Sequence, residues 1–181
     1  MPSRSSAASP ESSTTSARDW TMGQVHSLDS LIGAHPAALR DLYREGRPVD
    51  RRDLEGRLRG RMLGIPLETA FLLVQPLVVL FARHIYPWRG KSFDADGGGG
   101  HNFFVRGHGL PFRCEPGPSE LDGKPTLFIL YDVRGNLWPI SRMVDELRFV
   151  GDDVLIGPSS LRTTTGPLLF AWWGLEKSPL A

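Results

Sequence analysis

Turn signals interrupt the second half of the chain at short, regular intervals, and no other feature restricts its folding options as much. They fall at residues 96–100, 107–109, 116–118, 134–136, 151–153 and 163–166. Each holds the Gly, Pro, Asn or Asp that tight reversals require. Between them lie seven stretches with strand character: 91–93, 101–106, 110–115, 125–133, 140–150, 154–161 and 167–176. No helical stretch separates these, so parallel crossovers are excluded and the strands run as an antiparallel meander. A meander of about seven strands closes into a barrel or curls strongly. The glycine run at 97–100 reads as a hairpin tip, since no helix start follows it to cradle a phosphate.

Two of these strands are apolar on both faces. In TLFILYDV, Leu127, Ile129, Tyr131 and Val133 oppose Phe128 and Leu130. In PLLFAWWGL, Leu168, Phe170 and Trp172 oppose Leu169, Ala171 and Trp173. A barrel strand needs one apolar face unless something covers its outside. The first half of the chain supplies that cover as helices. Ser27 caps a short segment holding Leu28, Leu31 and Ile32, and Pro36 opens a helix with Leu39, Leu42 and Tyr43 on one face. Asp50 is placed to cap a further helix over 50–62, where Leu54, Leu58 and Met62 form a narrow stripe. Another helix is expected over 68–85, kinked at Pro76.

The fold class is therefore α+β: a disordered tail over 1–18, a helical segment over 19–85, a barrel over 86–177 and a short tail over 178–181. At 181 residues the chain suits one domain with extensions. A net charge of +1 argues against nucleic-acid binding, which needs clustered positive charge. A single cysteine, Cys114, excludes an internal disulfide and a thiolate metal cluster. No secretory apolar segment occurs in 1–18, and 65–82 is short, interrupted by prolines and carries Glu68 and Gln75. A cytoplasmic protein with no membrane span is expected.

Three pieces carry a family likeness: YPWRGKSFD at 86–94, LFILYD at 127–132, and Pro139, Ile140, Arg148, Val150 and DDVL before Gly157, followed by an aromatic strand ending in GLEK. In order and spacing this resembles the small lipocalin-like bacterial domains, of calycin type, named for a Gly-x-Trp-x-Gly signature. The likeness covers 86–177, with Tyr86 in place of the first signature glycine. It implies a compact antiparallel barrel that binds a lipid or other hydrophobic ligand. It also implies that Trp88 plugs one barrel end and that Gly90 lets strands approach closely.

The chemistry centres on the strand 140–150. Met143, Asp145, Leu147 and Phe149 share the inward phase, while Arg142, Val144, Glu146, Arg148 and Val150 point outward or toward covering helices. An inward carboxylate costs several kcal/mol unless paired or protonated. Asp145 is therefore a buried ion pair, with Arg106 or Arg113 as candidate partners, an acid turned outward by a bulge, or a functional acid in an apolar pocket. The expected ligand wall consists of Tyr131, Met143, Asp145, Leu147, Phe170 and Trp172. Arg51, Arg52, Arg57, Arg59 and Arg61 are either a solvated helix face or a site of peripheral contact with anionic membranes. His101 and His108 do not have a metal-site spacing, and no serine lies in a nucleophile elbow. No cofactor is implied. The leading expectation is a carrier of a lipid, fatty acid or polyketide-like molecule. The alternative is a cyclase, isomerase or dehydratase using Asp145 as general acid or base, assisted by Tyr131 or His101.

Overall fold

The computed structural model describes residues 25–67, 71–80 and 87–177. The expected tails at 1–18 and 178–181, Glu68 and Tyr86 lie outside the described residues. A two-residue strand, β1 (Arg47–Pro48), precedes the barrel and pairs with one of its strands. The barrel strands are β2 (Gly56–Gly64), β3 (Trp88–Phe93), β4 (Gly99–Phe104), β5 (Gly107–Pro118), β6 (Pro125–Leu130), β7 (Met143–Phe149), β8 (Val154–Thr163) and β9 (Gly166–Glu176). Each pairs antiparallel with the next, and β9 returns to β2, which closes an eight-stranded barrel. Closure gives the strand edges partners, the problem that a flat meander would leave unsolved.

All seven strands expected from the turn pattern are present. The eighth is a correction: the segment 50–62, read as a helix, forms a short 3-10 turn, Arg51–Asp53, and then β2. The spacing of four between Leu58 and Met62 is one helical turn but also two strand periods. The true alternation sets Arg57, Arg59 and Arg61 against Leu58, Gly60 and Met62. Gly56 and Gly60 each lower helix propensity by about 1 kcal/mol, which the stripe alone cannot offset. Gly60 has a further reason to be glycine, since a Cβ there would meet the Trp88 ring at 2.5 Å.

The remaining N-terminal elements are helical as expected. Ser27 accepts from the Asp29 N–H at the start of a 3-10 turn, Leu28–Leu31. α1 (Pro36–Glu45) begins on its proline and buries Leu39, Leu42 and Tyr43. α2 (Phe71–Leu80), which contains Pro76, forms the middle of the expected 68–85 helix.

Two large apolar cores and a small third cluster, Phe128, Leu130 and Val144, result. One fills the barrel with Leu58, Phe93, Phe112, Ile129, Leu147, Phe149, Leu155 and Trp173 among others. The other lies outside the wall, where Leu28, Leu31, Leu39, Leu42 and Tyr43 cover Leu63, Val154, Ile156 and Trp172. The double-faced β9 is thereby explained: its neighbouring tryptophans serve opposite sides of one sheet.

Four irregularities concentrate in one half of the barrel. Leu63 in β2, Arg89 in β3, Leu110 in β5 and Phe170 in β9 are each left out of the strand register. A bulge bends its strand and re-aims side chains, and bulges recur at barrel rims. All four lie toward the end where the β2–β3, β4–β5, β6–β7 and β8–β9 connections meet. We call this the mouth.

Candidate ligand-binding site

A cavity of about 100 Å³ occupies the mouth half of the barrel. Its walls are largely apolar: Met62, Phe104, Leu110, Met143, Phe170 and Ala171. Its floor is polar. Lys91 on β3, Asn102 on β4, Tyr131 after β6, Asp145 on β7 and Ser159 on β8 converge there, so every strand from β3 to β8 except β5 brings one group.

The bulges set this geometry. Leu110 adopts φ 50°, the left-handed region that a branched side chain enters only at a cost. There its side chain lines the cavity while its carbonyl accepts from Asn102 Nδ2 at 3.0 Å. Phe170, left out between Ser159↔Ala171 and Ser160↔Leu169, joins Ala171 on the cavity wall. In β3, Gly90 has φ +148°, and a Cβ would lie 2.0 Å from the Leu58 carbonyl oxygen. The close strand approach expected of Gly90 is therefore present.

Asp145 is 3% exposed and makes an ion pair with Lys91, Nζ to Oδ2 at 3.0 Å. Tyr131 donates its hydroxyl to the same oxygen at 2.9 Å, and Ser159 donates to Oδ1. Lys91 also donates to Tyr131 and, at 3.1 Å, to Asn102 Oδ1, which further accepts from Trp88 Nε1 at 2.8 Å. The ammonium lies 4.7 Å from the ring centroid of Trp173, 5.0 Å from Tyr131 and 5.1 Å from Phe112. Such ring faces attract a cation that water no longer solvates. Burial nevertheless pushes Lys91 below the usual lysine range, with the Asp145 carboxylate pulling the opposite way.

Hydrogen-bond capacity is nearly exhausted on this floor. The three ammonium protons of Lys91 go to Asp145, Asn102 and Tyr131. Asn102 donates to Leu110 and Tyr131, and the Tyr131 hydroxyl accepts from both Lys91 and Asn102. Spare acceptor capacity remains at Asp145 Oδ1 and Ser159 Oγ, and the buried indole N–H of Trp173, another lining residue, is a donor without a partner among the described residues.

Of the expected wall residues, Tyr131, Met143, Asp145 and Phe170 line the cavity. Leu147 is fully buried in the barrel core without lining it. Trp172 is placed elsewhere: it sits against Tyr43 beneath the helices, ring centroids 6.0 Å apart, and Trp173 takes the inner position. The Phe170 bulge breaks the simple alternation that had grouped Phe170 with Trp172. Neither expected partner meets Asp145. Arg113 pairs on the surface with Asp132 and Glu115, and Arg106 is exposed in the β4–β5 turn.

Lys91 was missed by the sequence reading. A usable signal existed, because Lys91 stands two residues before the inward Phe93, just as Asp145 stands between Met143 and Leu147. Trp88 packs edge-to-face on Trp173 at 5.9 Å and forms part of the cavity wall. His101 is exposed on the outside of β4, and Cys114 is buried, its thiol pushed up to about 12 by burial. Among the described residues no cluster of His, Cys, Asp and Glu could hold a metal, and no helix is long and apolar enough to cross a membrane.

The five basic residues expected on a helix face are dispersed. Arg59 pairs with Asp29 and Glu176, and Arg61 with Asp29. Arg57 lies beside His108 at 3.3 Å, and exposed Arg51 and Arg52 sit at the end opposite the mouth.

No family model matches the chain, and no curated protein matches it. Among solved structures, a protein from Thermomonospora curvata is similar to it at 16% identity and a TM-score of 0.45, over 78% of this chain and 86% of that one.

Proposed function

We propose that the barrel binds a small, mostly apolar molecule whose hydroxyl or amine end sits over Asp145 and Ser159. The observation that carries this reading is the spare acceptor pair at the floor of an apolar cavity. A carboxylate head, as in a fatty acid, would face the like charge of the Asp145 carboxylate. The cavity volume of about 100 Å³ sets the scale. Drug-sized ligands fill about 300–1,000 Å³, whereas an apolar hole of about 150 Å³ takes benzene. One compact ring, or the head of a chain whose remainder leaves through the mouth, is the matching ligand. The lipocalin-like Gly-x-Trp-x-Gly reading points the same way, with Trp88 serving as wall.

Indole N–H resonances in solution NMR test this reading, because Trp88 and Trp173 both line the cavity. Hexanol or hexylamine is expected to shift these signals in the wild type, and hexanoate is not. Ala171→Leu, which fills the cavity from its wall, is expected to abolish the response. Unshifted resonances with both hexanol and hexylamine would sink the reading. A chemically altered hexanol-like ligand recovered from the protein would replace binding with the acid–base enzyme alternative.

A further inference from the structure

We infer that the mouth of the barrel is a docking surface for an anionic lipid bilayer. Every large apolar side chain that is exposed among the described residues belongs to this end. The β2–β3 connection contributes Leu67, Leu77 and Leu80, exposed by 46%, 66% and 52%. The β4–β5 turn adds Val105, and the β6–β7 connection adds Leu137 and Trp138, exposed by 81% and 77%. Leu168 and Phe170 follow on the first turns of β9. Scattered exposed leucines need no explanation, but their confinement to one end of a barrel does.

α2 adds a second observation. Its ten residues, FLLVQPLVVL, contain no charge, and Gln75 is turned inward to donate to the Gly33 carbonyl at 2.8 Å. Pro76, Leu77 and Leu80 are left facing away from the protein. An uncharged exposed helix face, as Pro76, Leu77 and Leu80 form here, is costly in water and suited to an interface. Trp138 carries the amphipathic ring that favours the headgroup level of a bilayer.

The charge distribution selects the occupant. At the mouth, Arg106, Arg134 and Arg142 are exposed and make no ion pair with a described residue, while Asp132 is already held by Arg113. At the opposite end the hairpin loops carry exposed Asp94, Asp96, Asp152 and Asp153, and Asp50, Asp53 and Glu55 outnumber Arg51 and Arg52 there, while Glu120 and Asp122 are held by Arg162 and Arg148. The molecule is thus polarised along the barrel axis, and an anionic surface draws the mouth toward it and repels the far end. A two-fold dimer through the same face would bring these arginines onto their own copies, which disfavours a second chain as occupant. This inference does not depend on what the cavity holds.

Vesicle flotation tests it, using phosphatidylcholine vesicles with and without phosphatidylglycerol. The full chain is expected to float with the anionic vesicles only, and to be released as salt rises. The triple variant Arg106→Glu, Arg134→Glu, Arg142→Glu is expected to lose about tenfold or more in binding, since each basic residue near such a surface contributes substantially. Leu137→Ser with Trp138→Ser is expected to weaken binding at low salt as well and to remove the vesicle-induced shift of tryptophan emission. All these positions are exposed, so circular dichroism and thermal unfolding should remain as in the wild type. No flotation of the wild type would overturn the inference. So would unchanged flotation in both variants, or concentration-dependent self-association that the Leu137/Trp138 variant abolishes.

Discussion

Strand β7 carries a buried acid on each face, and the two acids live in different worlds. Inward, Asp145 meets a lysine, a tyrosine and a serine at the floor of a cavity, with acceptor capacity left over. Outward, Glu146 accepts from Tyr43 at 2.6 Å and from the Glu120 N–H at 3.0 Å, beneath α1 and the loop 119–124. Two residues on, Arg148 is fully buried and held bidentately by Asp122 at 2.7 and 2.8 Å. It also donates to the carbonyls of Pro125, Tyr43 and Lys124. The outer network is covered by chain, so its groups are scaffold. The inner one opens toward the mouth, so a ligand can reach it. Burial and ion pairing alone do not separate a site from a staple; what remains unpaired beside a cavity does.

The sharpest way to break the comparison is Arg148→Met. Removing the guanidinium leaves Asp122 without its counter-ion and takes a donor from the Pro125, Tyr43 and Lys124 carbonyls. Of these, Tyr43 and Lys124 keep the Gly46 and Ser119 N–H groups, and the expected loss is about 4 kcal/mol in urea unfolding. A smaller loss, about 3 kcal/mol, is expected for Asp145→Asn, because Lys91 can shed its proton when its partner is gone. Its folded-state value already lies below the ordinary 10.5, so the unfolded chain binds more protons and stability rises with pH toward that value. The slope should be steeper in Asp145→Asn than in the wild type. Lys91→Met combined with Asp145→Leu should recover most of the loss while abolishing ligand response, which no outer-network variant should do.

Acid titration gives the smallest expected effect. The Arg148 guanidinium holds Asp122 down at about 2, against an ordinary 3.8, and this corresponds to about 2 kcal/mol of stability at neutral pH. Because the folded-state value is depressed, that contribution is complete above 3.8 and is lost as pH falls through about 2. Unfolding followed by circular dichroism across that window should show the loss in the wild type and not in Arg148→Met.

Much of the barrel was legible because turn residues and period-two alternation are local. Pro125 to Leu130 needs no distant contact to declare two apolar faces, and the Gly97–Gly100 region declares its own reversal. The segment 56–64 was misread because a repeat of four satisfies both helix and strand. The inward phase of Asp145, like that of Lys91 two residues before Phe93, is a local signal, whereas their pairing is not. Lys91 lies 54 residues from Asp145, and only the ring of strands brings the two within 3.0 Å.

Sequence by itself determined an antiparallel meander sheathed by N-terminal helices, with an acid on the apolar phase of one strand at Asp145. Apolar phase, turn chemistry and helix starts are properties of neighbouring residues, and they survive in isolation. Tertiary structure decided the rest: barrel closure through β2, the four bulges at one end, Trp173 rather than Trp172 on the inside, and Lys91 as the counter-ion. Those outcomes depend on register between strands far apart in the chain, where a one-residue slip moves a side chain from one face to the other.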